Sequence, residues 1–234
     1  LLNIEHKPRL VFSNEEVSIL YEETEEYKQK VASTKTSNKV KTEFIPKRVL
    51  TYTFENLSRN REKGMLATEI IKICRSILNG QSSRGVYVYG PTGTGKTYLM
   101  GSIYNYFKQN GKEPTILYYP EFIRKIKSKI SDNSYDLYID LVRDEEILII
   151  DDIGAENITE FIRDEVLGPI INHREAEKLP TFFSSNLSID DLAELLSNGK
   201  TTVDRTKALR IVERIHSLCS SHFLDGENER EYYN

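Results

Sequence analysis

Eight residues, Gly90-Pro91-Thr92-Gly93-Thr94-Gly95-Lys96-Thr97, constrain this chain more than any other stretch in it. The pattern GxxxxGK[ST] cradles phosphate only where a strand leads in and a helix leads out. Gly85-Val86-Tyr87-Val88-Tyr89 reads as a short buried strand, and Lys96 to Gln109 as a helix. The glycines let successive backbone N–H groups turn towards phosphate oxygens, and the helix beginning near Lys96 adds its positive end. Lys96 neutralises β and γ oxygens, and the Thr97 hydroxyl can ligate magnesium. Gly90 to Thr97, with Tyr98 after them, are therefore the expected binding residues for ATP or ADP.

The rest of the chain alternates in a way that predicts βαβ units. Leu66 to Leu78 is an expected helix, with Leu66, Ile70, Ile73 and Ile77 on one face. Strands are expected at Thr115 to Tyr119, Glu146 to Ile150 and Thr181 to Ser184. Helices are expected at Glu121 to Ile130, Phe161 to Arg174, Asp190 to Leu196 and Arg205 to Cys219, with Ser188 or Asp190 capping the third. The fold class is α/β, a three-layer P-loop NTPase with a parallel sheet.

Ile147-Leu148-Ile149-Ile150-Asp151-Asp152 is an apolar strand ending in adjacent carboxylates. Beside a phosphate loop, Asp151 holds magnesium directly or through water. Asp152 then faces the γ-phosphate and orients or deprotonates the attacking water, with Glu156 a second candidate. Thr181-Phe182-Phe183-Ser184-Ser185-Asn186 ends the next strand, where Asn186 can sit between Asp152 and the γ-phosphate. The late segment Arg210-Ile211-Val212-Glu213-Arg214-Ile215 offers an arginine that reaches a neighbouring subunit's ATP in trans, or an ordinary helix with solvated arginines.

Composition narrows the setting. With 234 residues, 38% hydrophobic and 29% charged, the chain suits one core-forming domain plus extra segments. No apolar run approaches the roughly 20 residues of a membrane helix, and the start shows no secretory pattern. The first residue is Leu, so the chain reads as part of something longer. Net charge is −4, so any nucleic-acid contact must be local. Cys74 and Cys219 fall on segments that read as amphipathic helices, as buried small hydrophobes or else a disulfide or reactive thiol. Without CxxC there is no zinc spacing, and a reducing cytoplasm fits. Residues 1–43 read as an N-terminal segment and linker. Glu15, Glu16, Glu22, Glu23, Glu25 and Glu26 form its solvated acidic face, and Val31 to Val40 the linker. Phe44-Ile45-Pro46 starts the compact domain, 44–234.

The ordered set resembles a AAA+ ATPase: phosphate loop, paired acids, sensor-like Asn186 and late arginines. Tyr52-Thr53-Phe54-Glu55-Asn56-Leu57 resembles the segment that leads into AAA+ initiators and loaders and lines their adenine pocket. More narrowly, Ile150 to Glu156, Arg163 to Leu167, Leu179 to Asn186 and Val212 to Ile215 resemble bacterial helicase loaders of the DnaI/DnaC type. The resemblance covers about residues 44 to 234. It implies a cytoplasmic bacterial primosome component that loads the replicative helicase hexamer onto single-stranded DNA, with self-association through the ATP site. It makes Arg214 the finger in trans and Arg210 the lesser candidate. Many relatives place Glu where Asp152 stands, which implies slow hydrolysis. The short tail after Cys219 implies no helical lid, with Arg230 a substitute for a lid arginine. DnaI-type loaders also carry an N-terminal zinc domain, whose cysteines this chain lacks.

The resemblance also places an inserted helical element at Glu121 to Ile130. Arg124, Lys125, Lys127 and Lys129 there form a candidate phosphate-binding face for single-stranded DNA, and Tyr118 or Tyr119 can stack on a base. The bland alternative is a solvated basic face. Three other functions stay open: an IstB-like transposition helper, a P-loop kinase of small metabolites, and a binding module that uses ATP structurally.

Overall fold

The computed structural model describes residues 6–13, 16–24, 47–57, 61–131, 134–197 and 201–226. The chain divides into two compact units, Leu1–Glu43 and Phe44–Asn234. The first holds an antiparallel hairpin of β1 (His6–Ser13) and β2 (Glu16–Glu23), in a register that runs from His6 opposite Glu23 to Ser13 opposite Glu16. The sequence reading expected an acidic face here and no strands; Glu16, Glu22 and Glu23 flank Val17-Ser18-Ile19-Leu20-Tyr21, a β-prone run. Glu15, Glu25, Glu26, the linker Val31 to Val40 and Phe44-Ile45-Pro46 lie outside the described residues.

In the second unit, 3₁₀ turns at Lys47–Thr51 and Phe54–Leu57 precede α1 (Arg61–Leu78). Then come β3 (Gly85–Tyr89), α2 (Lys96–Gln109), β4 (Thr115–Tyr118), α3 (Tyr119–Ser128), α4 (Tyr135–Arg143) and β5 (Leu148–Asp151). A π-helical stretch, Ile162–Leu167, runs into α5 (Gly168–Ala176), followed by β6 (Thr181–Ser185), α6 (Ile189–Ser197), α7 (Thr202–Leu218) and β7 (Cys219–Phe223). The five strands from β3 onward form one parallel sheet in the order β4-β5-β6-β3-β7. Strands covered on both faces need continuous apolar runs. Val86, Val88, Ile149, Ile150, Phe182 and Phe183 supply them, all without solvent exposure.

Of the two cap candidates for α6, Ser188 serves, its hydroxyl accepting from the Asp191 amide at 3.1 Å. Three departures from the sequence reading follow. Cys219 is not helical: α7 stops at Leu218, and Cys219 is extended and opens β7, which runs from buried Cys219 to exposed Phe223. Both cysteines are nonetheless buried and free, and burial raises both thiol pKa values, that of Cys74 to about 12. The helix α4 was not anticipated. The expected helix from Phe161 is interrupted by the π stretch, which buries the Arg163 guanidinium. That group donates to Asp164 at 2.7 Å, to Asp204 at 2.8 Å and to the Leu196 carbonyl at 3.3 Å, tying α6 and α7 together.

Buried Arg174 performs a similar service at the opposite end of the sheet from the site. It bonds the carbonyls of Arg143, Glu145 and Pro180 and the Thr181 hydroxyl. Among the described residues no helix follows β7, and none is long and apolar enough to cross a membrane.

Candidate nucleotide-binding site

Parallel strands deliver their C-terminal ends to one edge of a sheet, and that edge is where ligands of such folds sit. The register sets Tyr118 of β4 beside Asp151 of β5, and Ser185 of β6 beside Tyr89 of β3. The residues that follow β3, β5 and β6 therefore converge.

The loop after β3 needs its glycines. Gly90, Gly93 and Gly95 have φ of 147°, 87° and 97°, a region that side chains disfavour. A Cβ on Gly90 would also lie 2.2 Å from the Leu224 carbonyl oxygen, just past β7. Thr94 is buried, its hydroxyl donating to the Pro91 carbonyl at 3.0 Å. Lys96, 7% exposed, donates to the carbonyls of Gly90 and Pro91, each at 2.7 Å. The first-turn N–H groups of α2 have no carbonyl one turn back, so this end can receive an anion. Tyr98 stacks on Tyr52 with ring centroids 4.2 Å apart, and its hydroxyl accepts from the Thr53 amide at 3.4 Å. Asn105 donates to the carbonyls of Val49 and Tyr52, so the Tyr52–Leu57 segment is pinned along α2.

Asp151 is 3% exposed, and its Oδ1 accepts from the Ser184 hydroxyl at 2.5 Å and the Thr97 hydroxyl at 3.3 Å. Burial raises its carboxyl to about 6, against the opposing pull of those two hydrogen bonds. Asp152 occupies the left-handed region at φ 64°, uncommon for a residue other than glycine. Its amide donates to Ser184 Oγ at 2.9 Å. Its carboxylate accepts from the Tyr118 hydroxyl at 3.3 Å and from Asn186 at 3.5 Å. Ser185 secures the next residue, donating to the Ile153 carbonyl at 2.6 Å. Glu156 accepts from the Gly154 amide at 3.0 Å, and burial lifts its carboxyl to about 7. Its Oε1 and the Tyr119 hydroxyl are buried with no hydrogen-bond partner among the described residues.

The structure thus brings together Lys96, Thr97, Asp151, Asp152 and Asn186. The basic-helix candidates lie on α3 and just past it, in differing surroundings. Tyr119 is fully buried and offers no surface to a base, because α3 begins at Tyr119 and turns that ring into the core with Phe122, Ile123 and Ile126. Tyr118 turns its hydroxyl to Asp152. Arg124 is exposed and bonded to Glu121, Lys125 sits 5.9 Å over the Tyr138 ring, and Lys127 donates to the Asn157 carbonyl. Lys129 lies just past the end of α3. On α7, Arg214 folds back onto the carbonyl of exposed Arg210 at 3.1 Å; Arg230 lies outside the described residues. Sequence reasoning missed Ser184 and Ser185 as holders of the acids. The available signal was two hydroxyls in a strand buried along its whole length, since buried polar groups need partners.

Parallel order, phosphate loop and acid pair define a AAA+ ATPase domain. Residues 49–205 match the family described as the bacterial DnaA ATPase domain. The chain is 31% identical over 227 residues to the replicative helicase loader DnaI of Bacillus subtilis strain 168, covering 96% of this chain and 73% of that protein. A crystal structure of DnaI aligns with TM-score 0.69 and 31% identity, over 78% of this chain and 95% of that one. The DnaC helicase loader structure shares the fold, with TM-score 0.64 at 18% identity over 77% of this chain and 100% of that one. The chain belongs to the DnaI family of replicative helicase loaders.

Proposed function

We propose that this chain is an ATP-dependent loader, a primosome component that sets the replicative helicase hexamer on single-stranded DNA during initiation or restart of replication in a bacterial cytoplasm. One juxtaposition on a chain of the loader family carries the reading: the Thr97 hydroxyl lies 3.3 Å from Asp151 Oδ1 at the foot of the phosphate loop. A hydroxyl and a carboxylate are hard oxygen donors, and magnesium in such sites takes one or two protein oxygens plus phosphate and water. The donor set fits magnesium, which when bound neutralises charge on the β and γ oxygens.

In this reading Gly90 to Thr97 hold the phosphates of ATP or ADP. Lys96 exchanges the Gly90 and Pro91 carbonyls for β and γ oxygens. Tyr98 braces the adenine-side segment through its stack on Tyr52. Asp152 orients the attacking water and takes its proton as the new oxygen–phosphorus bond forms and the bond to ADP breaks. Asn186 steadies Asp152 from β6. Arg214 of a neighbouring copy stabilises the transition-state charge, so turnover is slow until copies or partners assemble. Arg124, Lys125, Lys127 and Lys129 contact strand phosphates, without a base stacked on Tyr119. Residues 1–43 serve as N-terminal segment and linker to the ATPase domain, 44–234. Similarity to a loader along 96% of the chain favours this over the transposition-helper and kinase readings.

The test is size-exclusion chromatography with light scattering of this chain and a bacterial replicative helicase hexamer, with ATP and with ADP. The expected result is an ATP-favoured complex that Arg214→Ala weakens. Absence of any complex under both conditions sinks the loader reading and leaves an ATPase with another partner.

A further inference from the structure

The acids at the end of β5 are connected through one atom of β6. A serine hydroxyl has a single hydrogen to give and lone pairs to receive. The Asp152 amide donates to Ser184 Oγ at 2.9 Å, so the Ser184 hydrogen is directed at Asp151 Oδ1, 2.5 Å away. The chain of bonds has one polarity: Asp152 N–H to Ser184 O–H to the Asp151 carboxylate. Ser184 is 1% exposed, so water cannot substitute for either bond. Thr97 reaches the same Oδ1 from the other side at 3.3 Å. The two hydroxyls differ in what they do next. Under the proposed function Thr97 would itself hold magnesium through a lone pair of its hydroxyl oxygen. Ser184 stands behind the acid and keeps its own bond.

We propose that Ser184 is the positioning residue of the cation site, fixing the orientation in which the Asp151 carboxylate receives magnesium and, through the Asp152 amide, locking both acids to one hydroxyl. The proposal rests on the assignment of Thr97 and Asp151 to magnesium. Hydrogen-bond partners behind a metal ligand are worth about 10- to 100-fold in metal affinity. Ser185 is a built-in control. It is equally buried and on the adjacent position, but its hydroxyl holds the Ile153 carbonyl and the Leu187 amide, not an acid side chain.

The test is a Mg2+ titration of the affinity for a fluorescent ATP analogue, followed by equilibrium fluorescence. Wild type is compared with Ser184→Ala, Ser184→Cys, Ser184→Thr and Ser185→Ala. The expected result is that Ser184→Ala and Ser184→Cys move the Mg2+ midpoint up by about 10- to 100-fold, while affinity without Mg2+ stays within about twofold. Ser184→Thr, which keeps the hydroxyl, stays near wild type, and Ser185→Ala leaves the midpoint in place. Ser184→Cys is close to isosteric with the native side chain and decides the matter if Ser184→Ala does not fold. An unmoved midpoint overturns the proposal, as does an equal loss of affinity with and without Mg2+, which is the mark of general loosening. A wild type that gains no affinity from Mg2+ is a separate outcome: it removes the cation from Asp151 and Thr97, and this role of Ser184 with it.

Discussion

The turn that carries the two acids is gripped from two sides, and the grips differ in kind. On the β6 side, Ser184 and Ser185 are fully buried and make side-chain bonds of 2.5, 2.6 and 2.9 Å to Asp151, Ile153 and Asp152. On the other side, the contacts are a half-buried phenol at the end of β4 and an exposed ammonium of α3, Tyr118 to Asp152 and Lys127 to the Asn157 carbonyl, both at 3.3 Å. The difference follows from burial. Short side chains on a strand buried along its whole length can hold short bonds to the turn, whereas the end of β4 and α3 reach it with longer side chains in partial water. Buried hydrogen bonds are expensive to break because the abandoned groups stay dry, while exposed ones are replaced by water. The acids are therefore set by β6 and only steadied from the β4–α3 side.

The comparison is broken most directly at Ser184. Ser184→Ala strands the Asp152 amide and removes a partner of Asp151 Oδ1, so a loss on the order of 2–4 kcal/mol is expected in urea unfolding. A loss no larger than that of a surface variant would mean the β6 grip is slack.

Next in size is a pH effect beside the same turn. Burial raises Glu156 from its ordinary 4.5 to about 7, with Asp152 adding to the rise and Lys127, the Gly154 amide and its own amide opposing it. Between those values the folded protein holds a proton that the unfolded chain has released. Stability from this group is therefore full below about 4.5 and lost as pH climbs through about 7. Glu156→Gln should remove roughly 1–3 kcal/mol of that decline between pH 5 and 8, measured as the pH slope of the unfolding free energy. An unchanged slope would place the Glu156 carboxyl in water.

What could be read in the sequence, and what could not, divides along the same line. The phosphate loop is contiguous, so its residue types and spacing suffice. The acids were legible because an apolar run ends in Asp151-Asp152 at a distance from the loop that a parallel sheet allows. Ser184 and Tyr118 act across strands, and their roles exist only once β4, β5 and β6 are in register. Tyr119 is legible as a core residue. Tyr119, Phe122, Ile123 and Ile126 have the i, i+3, i+4, i+7 spacing of a buried helix face, which extending β4 by one residue concealed. The β1–β2 hairpin and β7 were lost for another reason: Glu16, Glu22 and Glu23 crowd the apolar run of β2, and Ser220, Ser221 and His222 separate the apolar ends of β7.

Smaller effects belong to the β4–α3 side, and they are the sharper check because the comparison predicts their size as well as their sign. Tyr118→Phe deletes one half-buried hydrogen bond to a carboxylate that keeps Asn186 as a partner, so the expected loss is about 0.5–1 kcal/mol. Lys127→Ala removes an exposed ammonium from a carbonyl that water can satisfy, and should change stability by less than about 0.5 kcal/mol. Both are read by the same urea unfolding as Ser184→Ala. If Lys127→Ala costs as much as Ser184→Ala, the helix is a structural wall of the site, and the asymmetry between the two sides is wrong. If it costs little yet weakens binding of a single-stranded oligonucleotide and flattens its salt dependence, the lysine is held for a phosphate, not for the fold. The near-neutral stability is what allows that second reading, since a residue that the fold does not need is free to be kept for a ligand.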